Sequence, residues 1–358
     1  MSAHCPKALR LFALLIYVTS VVAAERVALL PFVDPNSTEL GRVMLEQFAR
    51  ERLTKRGFEV VGADSVNSVL RHLRVRNTAT PIESEVNAIG DSLNAQYVLT
   101  GTIHSFTLDS TFSEVSVCAR LLRAESSKIV WDNCVSLSGG GEEALISKPV
   151  HDSYRKMAKS AAKRLFATLR LKAKPQRTYV SELMVAGREK KELIACSPIA
   201  VIPPVDESEV AFAGEMIGDF LVTSFVRRGF NVIDPGRVRN VMLQCEDLRH
   251  GQSVNAVSKM LADSLGVRLV VTGTISKLTD ARSVLLGSTP EASAELRMID
   301  PRRNIVVWAS HVERSGDSRK GLFETGVVHS PAVLTLEMID DAVAGLRVVR
   351  RKLDQPLN

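Results

Sequence analysis

The hydrophobic positions of the chain begin with a short strand pattern and continue with a helical one. Residues 27–32 form an apolar run that is closed by proline and aspartate, which is typical of a buried strand. The following segment places apolar residues on one stripe of a helix, and Gly57 then suits the left-handed C-cap. A second strand follows, so the order predicts two parallel strands joined by a right-handed crossover. The helical stripe consists of Met44, Leu45, Phe48, Ala49 and Leu53.

The same pattern returns 172 residues later in the chain. The segment VALLPFVD at Val27 aligns with IAVIPPVD at Ile199, and KRGFEVV aligns with RRGFNVI. Each half also contains one strand interrupted by Thr-Gly-Thr, YVLTGTIHS in the first and LVVTGTISK in the second. Beyond a five-residue insertion the offset becomes 177, and Trp131 aligns with Trp308. A period of this length indicates a duplicated domain.

The repeat sets the predicted domain boundaries. Residues 1–24 form a signal peptide, residues 25–171 a first domain, residues 172–197 a basic linker and residues 198–358 a second domain. The first domain continues with short helices near residues 65–73 and 82–93, three strands, and a closing helix near residues 154–171. The predicted fold class is α/β, with two tandem copies of a mixed-sheet domain whose helices pack on one face of the sheet.

The strands on either side of Glu125 alternate strictly between apolar and polar residues. If facing residue numbers sum to 252, the apolar residues share one face with Trp131 and the polar residues share the other. This alternation predicts an antiparallel pair with one buried and one wetter face. The wetter face then pairs Arg120 with Asp132, and Cys118 with Cys134.

The first residues have the order of a secretory signal peptide. Lys7 and Arg10 precede an apolar run and then a stretch of small residues that ends at Ala24. We expect cleavage before Glu25 or one residue earlier. The alternative is an uncleaved anchor helix, but the run is shorter than the ~20 residues that a membrane span requires. Cys5 precedes the run, so it is not a lipid-bearing cysteine, and no later stretch predicts a span. We therefore expect an exported, soluble, non-lipidated periplasmic protein, peripheral at the outer membrane if it associates with one.

Four of the five cysteines remain after cleavage, an even number in an oxidising compartment. The strand register brings Cys118 close enough to Cys134 for a bridge. Cys196 precedes the first strand of the second copy and Cys245 ends its second helical stretch, so we predict Cys196–Cys245 as the second bridge. The alternative is that these cysteines are free, buried thiols.

Composition narrows the classes of partner. With 45% hydrophobic and 24% charged residues the chain is typical of a globular protein, and 5% aromatic residues argue against a stacking platform for nucleic acid. A net charge of +6 suits contact with anionic partners. Residues 172–197 are rich in lysine and arginine, with a short amphipathic helix near residues 179–185. This segment is either an interdomain connector or a docking element for an anionic envelope polymer.

The sequence predicts no catalytic, cofactor-binding or metal-binding residues. Ser153 and Lys156 have the S-x-x-K spacing, but the partner motifs of penicillin-recognising enzymes are absent. The triple glycine at Gly139 lacks the Gly-Lys-Ser/Thr of a phosphate loop, and the histidines lack metal-ligand spacing. The closing helices supply basic candidates for partner binding, although a solvated helix face also explains such charge. These candidates are Arg155, Lys159, Lys163, Arg347, Arg350 and Arg351.

The chain resembles the curli-secretion protein CsgG and its relatives in five features. These are the apolar strand ending in proline, the amphipathic helix, Arg-Gly-Phe, Asp-Ser-Leu and the V-x-T-G-T-I strand. Those relatives share a fold with the N-terminal domain of TolB and with the LpoB activators of penicillin-binding proteins. The resemblance covers residues 27–171 and 198–353, and it implies a non-catalytic bacterial envelope protein that binds protein partners. Pore-forming members carry a lipid-modified cysteine and long membrane hairpins, and this sequence has neither.

Taken with the resemblance, these observations predict a non-enzymatic periplasmic adaptor or assembly factor in a cell-envelope machine, without cofactors. Its expected partners are envelope proteins associated with the outer membrane or the peptidoglycan, and nucleic acid is not among them. The alternative is a subunit of an outer-membrane-associated ring or secretion channel of the curli-export type. The oligomeric state and the partner of each domain stay open.

Overall fold

A computed structural model gives the architecture of the chain. It describes residues 24–35, 39–108, 112–140, 150–170, 179–184, 193–195, 198–208, 210–244, 254–279, 289–319 and 327–352. The predicted signal peptide lies outside this range, apart from its last residue. Among the helices within this range, none is long and apolar enough to cross a membrane.

The first copy is built on a five-stranded mixed sheet. Its strands are β1 (Arg26–Leu29), β2 (Glu59–Val60), β3 (Tyr97–Leu108), β4 (Phe112–Arg123) and β5 (Ile129–Gly140), in the order β2-β1-β3-β4-β5. The pairs of β1 with β2 and β3 are parallel, and the pairs β3–β4 and β4–β5 are antiparallel. The parallel half comes from the repeated strand–helix–strand unit, and two long hairpins add the antiparallel half.

Helices pack on both faces of this sheet, so the prediction of helices on one face is wrong. The helices α1 (Glu39–Lys55) and α4 (Val150–Leu165) cover one face, whereas α2 (Ala63–His72) and α3 (Glu83–Leu93) cover the other. The reason lies in β1, whose successive residues Val27, Ala28 and Leu29 are all buried but alternate between the two cores. A parallel strand that is apolar on both faces must be covered on both faces.

The second copy repeats this architecture. Its strands β8 (Ile199–Val201), β10 (Leu269–Leu278), β11 (Glu291–Asp300) and β12 (Ile305–Ser315) form the sheet, and β9 (Val205–Asp206) pairs with β10. The helices α5 (Ala213–Arg227) and α8 (Pro331–Ala342) lie on one face, and α6 (Pro235–Gln244) and α7 (Val254–Leu265) on the other. Each copy therefore has two cores, one on each side of its sheet.

Strands also form in the segment between the copies. The strands β6 (Tyr179–Met184) and β7 (Leu193–Ala195) pair with each other, and β6 pairs with β13 (Arg347–Lys352) near the C-terminus. Residues 179–184 are therefore a strand, not the amphipathic helix that we predicted there. The basic residues from Arg347 onward also lie on a strand and follow the closing helix α8, instead of forming part of it.

The predicted register of the long hairpin is confirmed. Cys118 pairs with Cys134, and Arg120 pairs with Asp132, while Trp131 and its apolar neighbours lie in the core under α1 and α4. The second copy keeps the same pairing at the offset of 177, since Glu295 pairs with His311 and Arg297 with Ala309. The two sheets can therefore be compared residue by residue.

The glycine of the first Thr-Gly-Thr makes room for an aromatic ring. A Cβ on Gly101 would lie 2.6 Å from the ring of Phe32, and Phe32 is buried in the core. In the second copy proline replaces this phenylalanine, and a Cβ on Gly273 would lie 2.1 Å from the carbonyl oxygen of Glu295. The repeated triplet is therefore explained by close packing within each domain.

We predict that Gly101→Ala destabilises the protein by about 1–3 kcal/mol, because the new methyl group overpacks the Phe32 ring. Urea unfolding of the two proteins measures the difference. The double variant with Phe32→Leu should recover part of the loss, because the smaller side chain frees the space. Equal stability of wild type and Gly101→Ala would contradict this explanation of the glycine.

Candidate functional site

The main polar site lies where the second copy packs on the first. Helix α5 is buried almost all round, including its polar residues Thr223 and Ser224. One side packs on its own sheet, and the other covers β5 and the bridge Cys118–Cys134 of the first copy. The face that the sequence predicts as wetter is thus buried by the other domain.

Arg120 is the centre of this contact. Its side chain is almost fully buried, and its Nε donates to Asp132 Oδ2 on the neighbouring strand at 2.9 Å. Its Nη2 donates to Asp219 Oδ1 on α5 at 3.1 Å, and its Nη1 lies 3.7 Å from Asp234 Oδ1 before α6. One guanidinium from the first domain therefore joins three carboxylates, two of them from the second domain.

His104 extends the cluster from the neighbouring strand. Its Nε2 lies 3.2 Å from Asp219 Oδ2, and its ring meets Phe220 edge to face. Asp219 thus contacts a histidine with one oxygen and the guanidinium of Arg120 with the other. This bidentate position fixes α5 against two adjacent strands of the first sheet.

The carboxylates of the cluster differ in the direction in which the protein shifts their pKa. Burial raises the pKa of Asp132, against the opposing charge of Arg120. Burial also raises the pKa of Asp234 to about 6, and its Oδ1 accepts no hydrogen bond. Burial opposes the charge on Asp219 as well, but the hydrogen bond with His104 and the charge of Arg120 outweigh it and lower its pKa. The cluster therefore changes its net charge in mildly acidic solution.

Further contacts continue along α5 from the cluster. Thr223 donates a short hydrogen bond to Asp132 Oδ1. One turn later Arg227 Nη2 donates to Asn133 Oδ1 at 2.5 Å and to the carbonyl oxygen of Cys134 at 2.9 Å. The stripe Asp219, Thr223, Arg227 has the i, i+4, i+8 spacing of one helix face.

A second contact joins the domains at the start of α6. A Cβ on Gly236 would lie 1.9 Å from the carbonyl oxygen of Pro81, so only glycine fits. Arg237 Nε forms an ion pair with Glu83 Oε2 at 3.0 Å. The two contacts together fix the orientation of the second domain on the first.

The cluster has some of the residue types of a metal site. His104, Cys118 and Asp219 present ligand atoms within 4.8 Å of one another. However, the Cys118 sulfur is bonded to Cys134, and Arg120 places a positive charge on Asp219. To act as metal ligands, Cys118 would have to be a thiolate and Asp219 an unpaired carboxylate, so this arrangement joins the domains and does not suit a cation.

The structure does not bring the predicted site residues together at one site. Arg155, Lys159 and Lys163 lie exposed on α4, and the Arg155 guanidinium stacks over Phe48. The backbone of the other three basic candidates lies on β13, and their side chains are outside the described residues. Cys196 and Cys245 also lie outside that range, so their bridge stays a prediction. The remaining candidates, Cys118 and Cys134, form a disulfide in the structure.

Sequence reasoning missed the partners that the second domain supplies to Arg120. Asp219 and Thr223 lie within a largely apolar helix, and their counterparts in the first copy are Gln47 and Glu51. The available signal was α5 itself, because a helix that is apolar all round must be covered on more than one side. The first-copy helix α1 has only a single buried stripe.

Comparison with known proteins gives one family match. The model of the FlgO protein family matches residues 7–132, which is the N-terminal part of the chain and about a third of its length. No curated protein matches the chain. The similarity to FlgO proteins therefore concerns the first copy.

Solved structures show weaker similarities. The PelC dodecamer from Paraburkholderia phytofirmans is 17% identical and covers 42% of this chain and 87% of its own, with a TM-score of 0.30. Lipoprotein GNA1162 from Neisseria meningitidis is 16% identical and covers 40% and 99%, with a TM-score of 0.32. The LpoB C-terminal domain from Salmonella enterica is 16% identical and covers 36% and 93%, with a TM-score of 0.26. At these scores we draw no conclusion from them, and the resemblance to CsgG and TolB stays a prediction.

We predict that Arg120→Met destabilises the protein by about 3–5 kcal/mol, because it leaves buried carboxylates without their counter-charge. The matched control is Arg297→Met, the equivalent but exposed position of the second copy, which should change stability by about 0.5 kcal/mol or less. Denaturant unfolding measures both. Similar effects of the two substitutions would contradict a buried charge centre at Arg120.

We predict that Asp234→Asn becomes more stable relative to wild type as the pH rises from 4 to 6. The pKa of Asp234 is raised from 3.8 to about 6, so the unfolded chain ionises first and wild type loses stability across this window. The whole effect is at most about 3 kcal/mol. Urea unfolding at several pH values measures it.

Asp219→Asn is the matched control with the opposite sign. Because the pKa of Asp219 is lowered, its contribution is present at neutral pH and is lost as the pH falls through that lowered value. The advantage of wild type over Asp219→Asn should therefore shrink in acid. Parallel pH profiles for wild type and Asp234→Asn would refute the assignment of the raised pKa.

Proposed function

We propose that the protein is a non-enzymatic adaptor or assembly factor of the bacterial periplasm, which binds an acidic envelope protein through α4. The observation that carries this proposal is the exposed basic face of that helix. Its side chains are exposed and form no ion pair with an acidic residue within the described part of the chain. They are Arg155, Lys156, Lys159, Lys163 and Arg164.

The placement of these charges favours partner binding over the alternative that the basic helix face only keeps the protein solvated. Ala158, Ala161 and Ala162 pack the opposite side of α4 into the core, so the helix cannot turn its basic side inward. Exposed lysine and arginine side chains at this spacing present one continuous positive surface. Such a surface attracts acidic partners and accelerates their association.

The buried charges stabilise the domain contact, and this supports a role without catalysis. Arg120 and its carboxylates hold the two domains together, and α5 covers them. They are therefore not free to act on a substrate. A catalytic site needs a nucleophile, a base and a stabilising group around an accessible space, and the polar groups at the interface do not form this arrangement.

The cellular setting of the proposal comes from the sequence and the family match. The predicted signal peptide directs export, and residues 7–132 match the FlgO protein family. Because the first copy carries both this match and α4, we assign partner binding to the first copy. The expected partner is an envelope protein associated with the outer membrane or the peptidoglycan.

Charge reversal on α4 tests the proposed function. The triple variant Arg155→Glu, Lys159→Glu, Lys163→Glu should reduce partner capture in cells by about tenfold or more, because like charges now face the acidic partner. Crosslinking in intact cells, followed by mass spectrometry, identifies and quantifies the partner. Wild-type capture should also weaken with increasing salt when it is repeated with purified components.

The matched control reverses three exposed arginines elsewhere on the same domain, Arg71, Arg74 and Arg76. It changes the net charge equally and should retain the partner. Equal capture by wild type and the α4 variant would contradict the proposed surface. Equal loss in both triple variants would indicate attraction by net charge alone and would also contradict it.

A further inference from the structure

The two domains have the same fold but contact each other through different surfaces, a helix of the second copy and the sheet of the first. A helix of the second copy covers part of the first sheet, whereas no described residue of the chain covers the two equivalent surfaces. These are the outer side of α1 in the first copy and the outer face of β10–β12 in the second. Because the offsets between the copies are fixed, each residue of these two surfaces has a defined counterpart in the internal contact.

The helix surface repeats at an offset of 172. The contact stripe of α5 is Asp219, Thr223 and Arg227, and its counterparts on α1 are Gln47, Glu51 and Lys55. All three counterparts are exposed, and so is the apolar Val43 one turn earlier. Helix α1 thus presents the same i, i+4, i+8 stripe to solvent, extended by an apolar side chain that a monomer leaves in water.

The sheet surface repeats at offsets of 172 on β10 and 177 on β11 and β12. The covered residues of the first sheet all have exposed counterparts in the second sheet. His104 and Cys118 correspond to Ser276 and Glu295. The covered Arg120, Asp132 and Cys134 correspond to Arg297, Ala309 and His311.

The two free surfaces exchange the charge of the internal contact at one pair of positions, and they also carry Gln47 in place of the acid Asp219 and the acid Glu295 in place of Cys118. In the internal contact the acid Asp132 lies on the sheet, and its partner on the helix is the neutral Thr223. On the free surfaces the sheet position is the neutral Ala309, and the helix position is the acid Glu51. The arginine is kept, as Arg297. At this pair of positions a carboxylate is therefore again available beside the arginine, but it comes from the helix instead of the sheet.

We propose that the chain assembles head to tail, with α1 of one copy on the outer face of β10–β12 of the next. In this contact Glu51 pairs with Arg297 across the interface, and Gln47 lies beside Ser276. Lys55 takes the place of Arg227 and donates to the backbone carbonyl of His311. Because each copy offers one surface of each kind, the interface is heterologous and generates a ring or a filament.

The inference does not rest on the proposed function. The basic face of α4 is no part of either surface, so a chain that assembles need not bind an acidic partner through α4. The converse also holds. The variants that test the assembly change Glu51, Arg297, Ala309, the two cysteines Cys196 and Cys245 and one control site, none of which lies on α4, so their failure leaves the test on α4 unaffected.

Size measurement of the mature chain with charge-reversed variants tests the assembly. Wild type should grow in mass with concentration in light scattering, whereas Glu51→Arg or Arg297→Glu should weaken self-association by about tenfold or more. The double variant Glu51→Arg, Arg297→Glu restores opposite charges and should recover it. Both positions are exposed, and unchanged circular dichroism verifies that the single variants fold.

Cysteine trapping tests the register. The internal contact between Thr223 and Asp132 predicts that Glu51→Cys and Ala309→Cys meet between copies, so the double variant should form a disulfide-linked ladder. The background carries Cys196→Ser and Cys245→Ser. The matched control replaces Ala309→Cys by Asp91→Cys, an exposed site whose counterpart Asp263 is also exposed and so lies outside the internal contact, and should give no ladder. A wild type that stays monomeric at all concentrations, or crosslinks only between two copies of the Glu51→Cys site, would overturn the proposal.

Discussion

A single buried guanidinium determines how the two halves of this chain fit together. Arg120 lies on the first sheet and contacts carboxylates from its own strand pair, from α5 and from the residue before α6. A buried charge is costly unless it is paired and hydrogen-bonded. The second domain supplies two of the three acids, so the first sheet is complete only when the second domain covers it.

This constraint explains the asymmetry of the duplication. The cores of the two copies are alike, and the register of their sheets is the same. Their outer surfaces differ, because Asp219 and Asp234 correspond to Gln47 and Gly62 in the first copy. The two acids lie at the internal contact, where they pair with Arg120. The equivalent positions on the surfaces outside this contact carry different charges. The domains form one platform whose buried charges are structural and whose exposed charges are available to partners.

Local pattern predicted much of this fold. Strict alternation around Trp131 gave the register that pairs Cys118 with Cys134, and the apolar stripe of α1 predicted its buried side. The internal repeat transferred both predictions to the second copy. These features depend on contacts within one hairpin or one helix, which a sequence encodes in neighbouring residues.

The interface could not be predicted in the same way. It depends on residues about a hundred positions apart, such as Arg120 and Asp219, and nothing local marks an aspartate in a helix as the partner of a particular arginine. The prediction of helices on one face failed because it extended the one-sided alternation of the hairpin strands β4 and β5 to the whole sheet, although the unbroken apolar run of β1 indicates burial on both faces. The predicted basic helix at the C-terminus is a strand, since Arg-Val-Val-Arg-Arg also suits β-pairing.

The coupling between Arg120 and Asp219 tests the central claim most directly. Unfolding free energies of wild type, Arg120→Met, Asp219→Asn and the double variant form a cycle in which the two residues belong to different domains. If the buried charge cluster joins the domains, the second substitution should cost at least about 1 kcal/mol less once the first is present. Additive effects of the two substitutions would contradict the account.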